Sequence, residues 1–396
     1  MAQTVIREGD LGPYGGDTLG AGIRSRRLPN VNGLDVHFLE AGFEEPGRPA
    51  LLLLHGFPEI AYSWRKVIGP LAAAGYHVIA PDQRGHGRTT GWDDAYDAEP
   101  DPFRTLNMVR DALALLFALG HRSVAGVLGH DAGSPVAAWC ALTRPDVFRS
   151  VVLMSAPFAG PPSLPFDVDH AAPPPRTPAA NSAEIDAELA ALDPPRKHYL
   201  RYYTTPGANA EMMNAPQGLR EFIRAYYHYK SADWAGNRPR RLGSGAGAEL
   251  AAMPTYYVMN RAEGMAATVA PFMPSPEEIA GCRWLSEAEL EVYAQEYGRT
   301  GFQGGLQAYL RVLSARPDPE PFTHAGRTID VPACFISGDR DWGTYQAPGS
   351  VEAMQTRACS DFRGVHIVEG AGHWVQQEQP DAVVAVTLRF LREAGR

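Results

Sequence analysis

The chain has 396 residues, 45% of them apolar, and a formal charge of -9. A large core can be buried, which excludes a disordered or fibrous class, and the acidic balance argues against a nucleic-acid binder that neutralises phosphates. Four widely spaced cysteines (Cys140, Cys282, Cys334, Cys359) show no metal-ligand pattern.

Met1 to Gly12 is polar and lacks an apolar signal core. No run of about 18 apolar residues is present for a membrane span. A soluble, cytoplasmic protein is the default expectation. Ala50–Leu54 is continuously apolar and reads as a buried strand ending at His55-Gly56-Phe57-Pro58. A helical pattern follows from Ala61 to Ala74, then a strand over Tyr76–Ala80 and a helix over Thr105–Leu119. Ser123–Leu128 is the next strand, Ser134–Thr143 the next helix, and Ser150–Met154 a further strand. Strands and helices alternating at this spacing predict an α/β class, with a mostly parallel sheet and helices on both faces.

The pattern breaks at Ala156. Eight prolines between Pro157 and Pro178 exclude a helix or a central strand there. Residues Ala183 to Arg316 then read as mostly helical, with a capping box at Ser286 and Glu289, Leu285 as a staple residue, and a loop over Pro239–Ala248. Strand character returns at Pro332–Ser337 and Val365–Val368, Cys334 packing as a small hydrophobe, and a terminal helix covers Pro380–Arg392. The predicted plan is a catalytic core over 1–156 and 323–396, interrupted by a helical cap over 157–322.

Three motifs fall at strand ends, where open parallel sheets place their ligands. Gly129-His130-Asp131-Ala132-Gly133 has the G-x-nucleophile-x-G form of a nucleophile elbow. Its central residue is aspartate. A carboxylate attacking an ester gives an anhydride, whereas one attacking a saturated carbon gives an ester that water can cleave. The bland alternative is a helix N-cap aspartate. His55-Gly56-Phe57-Pro58-Glu59 can aim the amide of Phe57 at the spot reached by the amide of Ala132, forming an oxyanion hole; an ordinary strand-to-helix loop looks similar. Near the carboxyl end, Gly338-Asp339-Arg340-Asp341 and Gly372-His373-Trp374 follow successive strands. The order Asp131, Asp341, His373 is that of nucleophile, acid and base in hydrolases of this form.

On these motifs the chain resembles the soluble epoxide hydrolases of the α/β-hydrolase superfamily, from about Arg27 onward. The resemblance implies the α/β-hydrolase fold with an inserted cap, Asp131 as nucleophile, His373 as base and Asp341 as acid, with Asp339 the second choice. It also implies two cap tyrosines that protonate the opening oxygen. Tyr199 matches the first, through Tyr199 to Gly207, and Tyr309 the second, through Thr300 to Tyr309. His55, Pro58, Trp342 and Trp374, neighbours of the motif residues, are expected to touch the substrate. Ala132 departs from the family, whose elbow has tryptophan there, so one pocket wall loses a large aromatic surface.

The implied reaction converts a small-molecule epoxide to a vicinal diol through an aspartyl ester, with no metal or organic cofactor. A haloalkane dehalogenase shares the elbow and the base, but its halide cradle commonly uses the tryptophan that Ala132 replaces. A serine esterase would need serine at 131, and Ser134 lies past the elbow. A non-catalytic ligand-binding protein on the same fold is the third reading. Partners other than the substrate are not implied, and a homodimer is left open.

Overall fold

The computed structural model describes residues 12–163, 183–313 and 318–395. Its centre is an eight-stranded sheet. The strands are β1 (Arg24–Val31), β2 (Leu34–Ala41), β3 (Ala50–Leu54), β4 (His77–Pro81), β5 (Gly126–His130) and β6 (Val151–Met154), with β9 (Ala333–Gly338) and β10 (Phe362–Val368) added after the insertion. Between them, β7 (Arg196–His198) and β8 (Val258–Asn260) form a separate antiparallel ribbon. The order across the large sheet is β1-β2-β4-β3-β5-β6-β9-β10. Strands β3 to β6, β9 and β10 run parallel, while β2 is antiparallel to both β1 and β4.

Residue alternation builds a core on each face of this sheet. Leu51 and Leu53 enter one apolar cluster, and Ala50, Leu52 and Leu54 enter the other. The first cluster runs on into the inserted segment through Tyr203, Phe222, Tyr227, Leu290 and Leu306, so cap and core share one interior. Polar ties reinforce the contact. The buried Arg65 guanidinium reaches Glu289 at 2.7 Å, Gln377 at 2.7 Å and the Trp284 carbonyl at 2.9 Å. Arg88 pairs with Glu296 at 2.8 Å.

The alternation of strands and helices matches the sequence reading, and so does the helical insertion between Ala183 and Val312. The Ser286–Glu289 capping box is present, Leu285 is buried, and Ser275 and Glu278 form a second box. Cys334 is fully buried. Some boundaries differ. The strand expected over Ser123–Leu128 begins at Gly126 and continues to His130, which carries the chain directly into the elbow. The β1–β2 hairpin has no counterpart in the expectation, because β1 is an edge strand whose Arg24, Arg26, Arg27, Pro29 and Asn30 mask any apolar period. Most of the proline-rich lead-in falls on 164–182, outside the described residues. Among the described residues, no helix is long and apolar enough to cross a membrane.

Candidate active site

Strand β5 ends at His130, and the helix Gly133–Thr143 starts three residues later. The turn between them is tight enough to hold Asp131 at φ 49°, a left-handed conformation that costs a non-glycine residue energy and marks a constrained position. The flanking glycines make it feasible. A Cβ on Gly129 would run into the Gly133 carbonyl, and one on Gly133 would run into the carbonyls of Leu54 and His55. The G-x-D-x-G spacing is therefore a packing requirement of the elbow against β3.

The Asp131 carboxylate sits between two groups. Its Oδ1 accepts a hydrogen bond from the Phe57 amide at 3.0 Å. Its Oδ2 lies 3.2 Å from Nε2 of His373, but without the alignment of a hydrogen bond, so that ring nitrogen is unpartnered. Burial alone would raise the Asp131 carboxyl; the His373 ring and the Lys230 charge outweigh it and hold the group far below the ordinary carboxylate range.

His373 is fixed from the other side by Asp341, whose Oδ1 is 3.0 Å from Nδ1. Asp341 is buried at the end of β9, and it accepts further hydrogen bonds from the Gly343 amide at 2.7 Å and the Ser337 hydroxyl at 3.0 Å. The His373 ring, with the Ser155 hydroxyl and the Gly343 amide, overcomes burial and keeps its carboxyl below the usual value. Asp339, the second choice for the acid, instead accepts from the Gly370 amide at 3.0 Å.

A cavity of about 290 Å³ opens over Asp131. Tyr199 and Tyr309, from two different cap helices, both line it, with ring centroids 6.5 Å apart. The Tyr199 hydroxyl donates to Gln346 Oε1 at 3.3 Å. Burial, then the nearby Asp131 charge, pushes both phenols well above their ordinary value. Phe57 and Ala132 line the same cavity.

Of the residues expected to touch substrate, His55 is on the cavity wall. Its two ring nitrogens are nevertheless engaged with backbone, at the Gly56 carbonyl (2.8 Å) and the Gln83 amide (3.0 Å). Pro58, Trp342 and Trp374 are not among the residues lining this cavity. Pro58 turns its carbonyl to the Tyr227 hydroxyl at 2.8 Å. Trp374 is fully buried, with its indole nitrogen donating to the Tyr227 carbonyl at 2.9 Å. Trp342 is buried beside Asp341, at the start of a short 3-10 turn.

Other residues with a hold on the site carried no role in the sequence reading. Glu59 is fully buried and bonds His130 at 2.6 Å, and His130 in turn reaches the His373 carbonyl at 2.7 Å. Glu378 accepts from the amides of Ala232 (2.8 Å), Gly372 (2.9 Å) and Trp374 (3.0 Å), bracketing His373. Lys230 stands 4.9–5.7 Å from the rings of Tyr226, Tyr256, Tyr257 and Trp374. Glu59 and His130 lay inside motifs already noted. A lysine within the aromatic run Tyr226-Tyr227-His228-Tyr229-Lys230 was the only signal for Lys230, and Glu378 had none.

The alpha/beta hydrolase fold family matches residues 49–177. Over 377 residues the chain is 33% identical to epoxide hydrolase A of Mycobacterium tuberculosis, covering 93% of this chain and 98% of that one. It belongs to the epoxide hydrolases. Epoxide hydrolase B of the same organism is 30% identical over 92% of this chain and 97% of its own. Among solved epoxide hydrolases, one from an endophytic Streptomyces superimposes with a TM-score of 0.71 at 30% identity, covering 94% and 96% of the two chains. Epoxide hydrolase I of potato (Solanum tuberosum) gives 0.69 at 28% identity, covering 94% and 99%.

Proposed function

We infer that this epoxide hydrolase opens its substrate with Asp131 and frees the diol with His373. The observation that carries this assignment is the Asp131 carboxylate held between the Phe57 amide and the unpartnered Nε2 of His373, beneath two half-buried tyrosines.

Asp131 attacks one epoxide carbon, and the carbon–oxygen bond of the ring breaks. The leaving oxygen takes a proton from Tyr199 or Tyr309, the other phenol holding it by hydrogen bond. Phenols raised above their ordinary value are fully protonated at neutral pH and donate only when an alkoxide develops. The product is an ester of Asp131. His373, oriented by Asp341, then removes a proton from water, and the hydroxide adds to the Asp131 carboxyl carbon. The tetrahedral oxyanion rests on the amides of Phe57 and Ala132. Collapse breaks the bond to the alkyl oxygen, which takes the proton from His373; the proton left on the Asp131 carboxyl returns to the tyrosinate, and a vicinal diol departs. No step calls on a metal or organic cofactor.

Halide release is disfavoured, since Ala132 supplies no indole donor and Trp342 is off the cavity wall. The test is product analysis with styrene oxide. The wild type yields the diol and Asp131→Asn yields none. Full diol formation by Asp131→Asn ends this assignment.

A further inference from the structure

Ser25, His37 and Asp82 form a second chain of hydrogen bonds, and none of the three lines the cavity over Asp131. They come from three strands. Ser25 lies on the edge strand β1, His37 on β2, and Asp82 follows directly on β4. The antiparallel register pairs Arg27 with His37, which makes Ser25 the diagonal neighbour of His37. On the other flank the Asp82 amide donates to the His37 carbonyl at 2.9 Å, so these two side chains leave adjacent backbones. The Ser25 Oγ is 2.7 Å from Nε2 of His37, and Nδ1 of the same ring is 2.6 Å from Asp82 Oδ2. Hydroxyl, imidazole and carboxylate in that order make a serine nucleophilic.

The two inner members are firmly placed. Asp82 is fully buried; its Oδ1 accepts from the Ala61 amide at 2.8 Å and the Tyr14 hydroxyl at 3.1 Å, and its Oδ2 from the Arg88 amide at 2.9 Å. Burial would raise the Asp82 carboxyl; the His37 ring, the His55 ring and the Arg88 amide outweigh it and hold the group far below the ordinary carboxylate range. The His37 ring is buried, with the Tyr14 ring centroid 4.4 Å from its own. A neutral His37 gives its Nδ1–H to the ionised Asp82 and keeps Nε2 as an acceptor. The Ser25 hydroxyl is then the donor. Its proton already points at the base, and its lone pairs are left for an electrophile. Ser25 itself is exposed, so a reagent reaches it from solvent.

We propose that Ser25 is a second nucleophile of this protein, activated by His37 and Asp82, and the site at which activated esters and phosphonyl fluorides modify it. With an ester, the Oγ bonds to the carbonyl carbon as its proton passes to His37 Nε2. The tetrahedral adduct collapses, the bond to the leaving oxygen breaks, and a phenolate departs while His37 gives its proton to solvent. The acyl group stays on Ser25 until water, deprotonated by the same ring, removes it. Epoxide opening at Asp131 shares none of these steps.

The test treats the folded enzyme with p-nitrophenyl acetate and, separately, with a biotinylated fluorophosphonate, and reads the labelled residue from peptide masses. Exposed Ser244, whose hydroxyl accepts from the Ala246 amide at 3.3 Å, is the internal reference. Ser25 is expected to react about 100-fold faster or more. Ser25→Ala loses that label and keeps both diol formation and melting temperature. His37→Gln lowers the labelling of Ser25 by a similar factor. If that buried change prevents folding, a second pair of variants carries the test. Iodoacetamide should alkylate Ser25→Cys about tenfold faster or more than Ser244→Cys, because an imidazole beside a thiol favours the thiolate. Ser25 labelled no faster than Ser244, undiminished labelling in folded His37→Gln, or equal alkylation of the two cysteine variants would reduce Ser25 to a tie for the edge strand and overturn the proposal.

Discussion

His373 faces Asp131 across 3.2 Å through a ring nitrogen that makes no hydrogen bond, while its other nitrogen is tied to Asp341. A hydrogen bond from Nδ1–H to the carboxylate leaves Nε2 bare, the tautomer a base needs. In the proposed mechanism the attack by Asp131 does not depend on this arrangement, but the hydrolysis of its ester does. His373→Gln is therefore expected to form the Asp131 ester and stall. A rapid-quench experiment should find about one equivalent of alkylated enzyme and turnover lowered by roughly 10³-fold or more. Absence of any trapped ester, with turnover lost, would place His373 in the first step.

Tyr199 and Tyr309 come from separate cap helices onto one cavity, so either phenol can hold the oxygen when the other is removed. Each single Tyr→Phe change is expected to slow ester formation by about 10- to 100-fold, and the pair by considerably more. The pH profile provides an independent reading. Both groups are raised above their ordinary value, so they remain protonated as pH rises through 9, and their ionisation does not set the alkaline limb. A limb near pH 9 that disappears in Tyr309→Phe would contradict this.

Glu378 accepts from three backbone amides around His373, yet burial outweighs them and lifts its carboxyl to about 8. In the unfolded chain the same group ionises near its model value of 4.5. Between those two values the folded form binds the proton and the unfolded form does not, so this group's contribution to stability falls as pH rises. The slope approaches about 1.4 kcal/mol per pH unit at most. Glu378→Gln abolishes that term. Urea midpoints of wild type and variant, measured from pH 5 to 8, should draw apart in favour of the variant as pH increases. A constant difference would refute it.

Glu40 shows the opposite sign. Burial would raise it, but His77, Arg26 and Arg24 hydrogen-bond it and hold it at about 2. Its stabilisation is complete above the unfolded value of 4.5 and is lost as pH falls toward about 2. Discounted for the half-exposed arginines, Glu40→Gln should cost about 2 kcal/mol at pH 7 and little near pH 2. Thermal melts at the two pH values check it; an equal loss at both would sink the account.

The sequence was legible wherever a local rule applied. Apolar runs such as Ala50–Leu54 and the Ser286 capping box depend on neighbours within a few residues, and the elbow glycines report a single tight turn. Long-range geometry was less accessible. Trp374 looks like a pocket residue because it follows His373, yet one step along the chain turns its indole onto Tyr227. Glu378 and Lys230 act through backbone amides and aromatic rings from separate elements, which no spacing encodes. The β1–β2 hairpin was hidden because an edge strand with alternating arginines has no apolar run to betray it.

The central claim is that oxygen from Asp131, and not from water, first bonds to the epoxide carbon. A single turnover in heavy-oxygen water, with enzyme in excess, tests it directly. The account predicts an unlabelled diol and label in the peptide that contains Asp131. Label in the diol of that first turnover, with none on Asp131, would mean that water attacks the epoxide itself.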